Sequence, residues 1–161
     1  MKKAPILLLL AVFLAGGTLF ADPAADFSRV VNFSLSLKSL NELIDGGRFD
    51  QADKDRYILV DGSIAYRELL SADGEPFLGE IELIQGEWLG PDTVKTYRCI
   101  VQFSGDSFAG LIPARRARSR SENELVLNSH ALIVGKLREL RSLPVGSVSP
   151  VIDGFFVRPI L

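Results

Sequence analysis

The sequence predicts a mostly all-β fold: a small sandwich or barrel of five to six strands, preceded by a signal peptide and one short helix. Three observations carry this. From Tyr57 onward, apolar and polar residues alternate with the period of two that marks half-buried strands. Clusters of glycine, proline and aspartate separate the alternating runs. Helical periodicity is scarce.

The first 21 residues read as an export signal. Lys2 and Lys3 form a positive start, Ile6 to Leu14 an unbroken apolar run, and Ala15, Gly16 and Gly17 a helix-breaking, small-residue end. The apolar run falls short of the roughly 20 residues a membrane-spanning helix needs. Cleavage is placed after Ala21, with Gly17 as the alternative site. The localisation expected is therefore exported, periplasmic or extracellular. The full chain has 18 Lys+Arg and 20 Asp+Glu, a net charge of −2. Removing residues 1–21, which hold two lysines and no acid, leaves 16 against 20, or −4. That charge suits solubility and exerts no global pull on polyanions. Cys99 is the only cysteine, so no internal disulfide forms, and it reads as a small buried apolar residue.

Residues 22–56 are expected to hold an N-terminal strand, a short helix and a linker. Val31 to Lys38 alternates throughout, with Val31, Phe33, Leu35 and Leu37 on one side, and is assigned as a strand, with a helix through Val30, Phe33, Leu37, Leu40 and Ile44 as the alternative. Ser39-Leu40-Asn41-Glu42 matches a capping box, and Gly46-Gly47 ends the helix it opens. Arg48 to Arg56 is a polar loop. Residues 57–161 are expected to form the β-domain. Tyr57 to Leu70 is a long strand in which Gly62 marks a bulge or bend. Gly79 to Leu89 and Thr93 to Phe103 form a hairpin turned by Gly90-Pro91-Asp92. Phe108 to Ile112 is a further short strand, His130 to Leu140 carries Gly135 inside a strand, and Val151 to Ile160 is the last one. No internal repeat is present.

Five strands from Tyr57, the first long with a central glycine, a hairpin next, then a polar excursion before the fourth, resemble the OB-fold, a five-stranded Greek-key barrel. The residues that carry the resemblance are Ile58–Tyr66 with Gly62, Glu80–Phe103, His130–Leu137 with Gly135, and Val151–Val157. It covers about two-thirds of the chain and implies a fold rather than a function.

Catalytic groupings are sparse. His130 is the only histidine, and Ser129 beside it points to the opposite face of a strand, so no hydrolase triad is assigned. No cysteine–histidine cluster marks a metal site, and Asp50, Asp53 and Asp55 lack calcium-loop spacing. Glu80 and Glu82 share a polar strand face and are assigned to solvent. No catalytic residue, metal or cofactor is expected.

The binding candidates are Arg115, Arg116, Arg118 and Arg120, four guanidinium groups within six residues, together with Trp88 beside the hairpin turn. These point to an exported, non-catalytic binding module of the cell envelope, with an envelope protein or an anionic lipid or glycan as partner. The alternatives are an enzyme acting on an envelope polymer through carboxylates, and an OB-type binder of nucleic acid or another anionic ligand. Export, a charge of −4 and the absence of aromatics among the arginines set nucleic acid aside as a partner.

Overall fold

The computed structural model describes residues 23–71, 75–113, 124–144 and 146–160; the expected signal peptide and Arg115, Arg116, Arg118 and Arg120 lie outside these. The chain forms α1 (Pro23–Val30), β1 (Val31–Asn32), α2 (Leu37–Asp45), β2 (Tyr57–Leu69), β3 (Leu78–Gly90), β4 (Thr93–Ser104), β5 (His130–Ser142) and β6 (Val148–Ile160). Single 3₁₀ turns sit at Phe49–Gln51 and Asp106–Phe108.

The five long strands close into a barrel. β2 runs antiparallel to β5 through Tyr57–Ser63, then antiparallel to β3 from Ser63 to Leu69. The order β2-β3-β4-β6-β5 returns to β2, with β4 and β6 parallel over only Ile100–Gln102 and Val151–Asp153. This is the OB-like arrangement that the sequence resembles. β1 adds two parallel pairs to β2 at Tyr57 and Ile58.

Gly62 lies where β2 exchanges β5 for β3. A Cβ there would stand 2.7 Å from the Ile84 carbonyl oxygen, so the glycine is required by close strand approach. The register shift itself falls further on, between Ile64 and Tyr66.

Two sequence assignments are corrected. Val31–Lys38 is not one strand: only Val31 and Asn32 pair, and a helix begins at Leu37. The Asn32 side chain is the physical reason. Its Oδ1 accepts from the Ser34 backbone N–H at 3.1 Å and from the Ser34 hydroxyl at 2.6 Å, turning the chain away from the ladder. The helix is capped one turn earlier than the sequence pattern indicated, by Ser36 and Ser39 in a reciprocal capping box. Gly46 ends it, and Gly47 follows at φ +64°. The short strand assigned to Phe108–Ile112 is also absent. A 3₁₀ turn reverses the chain there, and Leu111 and Ile112 enter the core as a plug.

The barrel is stoppered at opposite ends of β4. Near its end, the Phe108 ring lies 5.1 Å from that of Phe103, and Leu111, Ile112 and the fully buried Leu125 complete the seal. Near its start, α2 inserts Leu37 and Leu40, both essentially inaccessible. Each such leucine contributes about 1.5–3 kcal/mol of burial. The β4 edge before Ile100 has no β6 partner, and the Asn41 amide substitutes for one. It donates to the Arg98 carbonyl at 3.0 Å and accepts from the Arg98 N–H at 3.3 Å. Polar contacts pin α2 further: Lys38 Nζ reaches Glu87 at 2.6 Å, Lys95 Nζ reaches Asp45 at 3.2 Å, and the Tyr97 hydroxyl donates to Glu87. The Lys38 bond, then the Tyr97 bond, holds the Glu87 carboxyl below its usual range. Cys99 lies wholly inside, and burial pushes its thiol far above the ordinary value.

Candidate binding face

Alternation along β3 and β4 sends Glu80, Glu82 and Ile84, and Arg98, Ile100 and Gln102, to the outside of the barrel. Parallel pairing adds Val151 and Asp153 of β6 to the same side. Beyond the barrel, β5 and β6 continue as a two-stranded arm, with Arg141 opposite Ser149.

Two arginines of β5 reach β4 and β3, strands with which β5 does not pair, and one of them also binds the paired strand β6. Arg138 donates to Gln102 Oε1 and to Asp153 Oδ1, both at 2.7 Å. Arg141 donates to Glu80 Oε2 at 2.7 Å, and the same oxygen accepts from Gln102 Nε2 at 2.7 Å. A continuous polar line, Arg141–Glu80–Gln102–Arg138–Asp153, therefore crosses the face. Arg98 stands beside it, 3.2 Å from Glu82. Ile100 and Val151 are buried on this side, outside the barrel's core cluster. Ser149 is fully buried, and its Oγ has no hydrogen-bond partner among the described residues. The result is a face with three partly exposed guanidinium groups, each held by a carboxylate, above a small apolar floor.

Of the residues singled out by sequence, Trp88 stands at the tip of the β3–β4 hairpin, opposite Val94 and 73% exposed. Its indole continues the outward row of Glu80, Glu82 and Ile84. Glu80 and Glu82, assigned to solvent, take part in the polar line and its flank. His130 Nε2 lies 3.0 Å from Asp61 Oδ2 on a different side of the barrel, and the Ser129 hydroxyl binds the Val126 carbonyl. Asp53 is committed to Arg56, whose hydrogen bond lowers its pKa, and to the backbone N–H of Asp55. Among the described residues no group of three His, Cys, Asp or Glu side chains could hold a metal ion.

Sequence reasoning missed Arg98, Arg138 and Arg141. They are scattered over 44 positions and meet only because the parallel β4–β6 pair brings the arm onto β3 and β4. The one available signal was arginine in the outward register of two strands.

The sequence matches no family model and no curated protein. Solved structures similar in fold include the small single-stranded DNA-binding protein from Streptomyces coelicolor, at 14% identity and a TM-score of 0.41 over 65% of this chain and 92% of that one. The second single-stranded DNA-binding protein of Mycobacterium smegmatis is similar at 16% identity and a TM-score of 0.41, over 64% and 86% of the two chains. Both are described as single-stranded DNA-binding proteins, and the expectation that set nucleic acid aside is withdrawn. Its physical weakness was the use of whole-chain charge. A ligand meets one face, and three guanidinium groups on that face act locally whatever the average.

Proposed function

We propose that the protein is an exported, non-catalytic binding module of the OB type that holds an anionic chain across the outer face of β3, β4 and β6. The observation that carries this is the convergence of Arg98, Arg138 and Arg141 from two strands onto one face. Each guanidinium is already positioned by a carboxylate, and an incoming phosphate, sulfate or carboxylate would exchange with that partner at little ordering cost. By sequence, Arg115, Arg116, Arg118 and Arg120 add to the same attraction.

Single-stranded nucleic acid is the form of anionic chain that the exposed Trp88 indole favours, because every base has a face to stack on it. The test uses single-stranded oligonucleotides and acidic and neutral glycans as probes. Replacing Arg98, Arg138 and Arg141 together by Gln is expected to weaken binding of the anionic probes at least about tenfold. It should also flatten the salt dependence by roughly one unit of log–log slope for each arginine that no longer meets a phosphate. Trp88→Ala is expected to weaken oligonucleotides alone, by about 1–3 kcal/mol. Binding that is indifferent to the triple substitution rules out this face.

Export is tested separately. The protein isolated from its own cells is expected to begin at Asp22 or within a few residues of it, as read by N-terminal sequencing. A product retaining Met1 and the apolar run contradicts export.

A further inference from the structure

The opposite side of the barrel carries a second surface. Outward residues of β2, β5 and β6 stand in rows across the sheet. Leu59 pairs with Val134, which pairs with Phe156; one step along, Asp61 pairs with Leu132, which pairs with Arg158. Phe156 is 49% exposed and Leu59 37%, so the first row is an unpartnered apolar stripe. The second row has an apolar centre with an acid at one end and a base at the other. Arg158 bridges no carboxylate among the described residues, and the one group Asp61 reaches at ion-pair distance is the His130 ring, at 3.0 Å.

We infer that this face binds a second copy of the chain, sheet on sheet, about a two-fold axis running along β5. Charge complementarity selects that occupant. Rotation about such an axis turns every row end for end. Leu132 then meets Leu132 of the partner subunit, Asp61 meets Arg158 of the partner subunit, and Arg158 meets Asp61 of the partner subunit. The row Leu59–Val134–Phe156 meets its own reverse, apolar against apolar. Strands about 4.8 Å apart put the charged ends roughly 10 Å from one another, flanking the axis, and sheets stacked about 10 Å apart let the side chains meet between them. An isologous contact requires self-complementarity of this kind, and a surface evolved for an unrelated protein has no reason to show it. The contact leaves the Arg98–Arg138–Arg141 face free and does not depend on that face binding anything.

Sedimentation velocity over a concentration series, on the full chain as its host processes it, tests the inference. The protein is expected to dimerise reversibly. Arg158→Glu sets one acid against another, the Asp61 carboxylate, at both ends of the contact and is expected to raise the dissociation constant by roughly tenfold or more. Asp61→Arg is expected to do the same. The combined exchange, Asp61→Arg with Arg158→Glu, is expected to restore the wild-type constant, which no folding defect would mimic. Melting temperatures of the single variants, measured dilute, confirm that they fold. A wild-type chain that stays monomeric at every concentration overturns the inference, and leaves the face to another protein or to residues of this chain outside those described. A dimer insensitive to both reversals, or not rescued by the exchange, overturns it as well.

Discussion

Gly135→Val is expected to abolish the native barrel, leaving either no soluble product or one destabilised by more than about 4 kcal/mol in urea titration. A Cβ at position 135 would lie 2.5 Å from the Asp153 carbonyl oxygen and 2.5 Å from Ile152 Cγ2. The first of these is backbone, so no side-chain rotation relieves it. Gly135 pairs with Ile58 of β2 on one edge and with Gly154 of β6 on the other, at the point where the β5–β6 register shifts. Moving β6 outward disturbs Ile152, which is fully buried, and the short parallel contact to β4 that closes the barrel. Moving β5 disturbs its ladder to β2. Gly90→Ala is the control: nothing lies within 4 Å of its Cβ position, and the expected change is within about 0.5 kcal/mol. Equal losses for the two variants would show that the close approach at Gly135 does not govern stability.

The glycines also show what a single sequence can disclose. Gly62 and Gly135 stand inside alternating runs, and for Gly62 that local contrast was enough to predict a constraint. The partner atoms, Ile84 of β3 and Asp153 of β6, belong to the closed barrel and leave no local trace. The strands from Tyr57 onward were legible for the same reason, because alternation is a local pattern read two residues at a time. Val31–Lys38 failed because its alternation was perfect but irrelevant. A side-chain turn at Asn32 and a cap at Ser36 outcompete two residues of ladder, and Leu35, Leu37 and Leu40 are buried by a turn and a helix. The binding face was the least legible part. Glu80 and Arg141 are 61 residues apart, and nothing near either announces the other. A run such as Arg115–Arg120 draws attention in a sequence because it is contiguous, whereas convergence in space draws none.

Leu40→Ala is expected to destabilise the protein by about 2–5 kcal/mol, the range for a buried leucine whose site cannot collapse. Leu40 is wholly inaccessible and sits on α2, which the barrel cannot replace because β6 covers only three residues of the β4 edge. Asn41→Leu probes the same element through its polar contact. It removes the amide that donates to the Arg98 carbonyl at 3.0 Å and accepts from the Arg98 N–H at 3.3 Å. An N–H and a carbonyl left without partners in a partly buried position cost about 1–3 kcal/mol. The two losses are expected to fall short of additivity, since both act by loosening one helix and residues sharing an element couple. Amide exchange gives the site-specific reading. In Asn41→Leu the Arg98 amide should lose protection while that of Cys99, which lies within the β3 ladder, keeps it. If the Arg98 amide stays as protected as in the wild type, the side chain of Asn41 is not what closes the strand edge, and packing of Leu37 and Leu40 alone holds α2 in the barrel mouth.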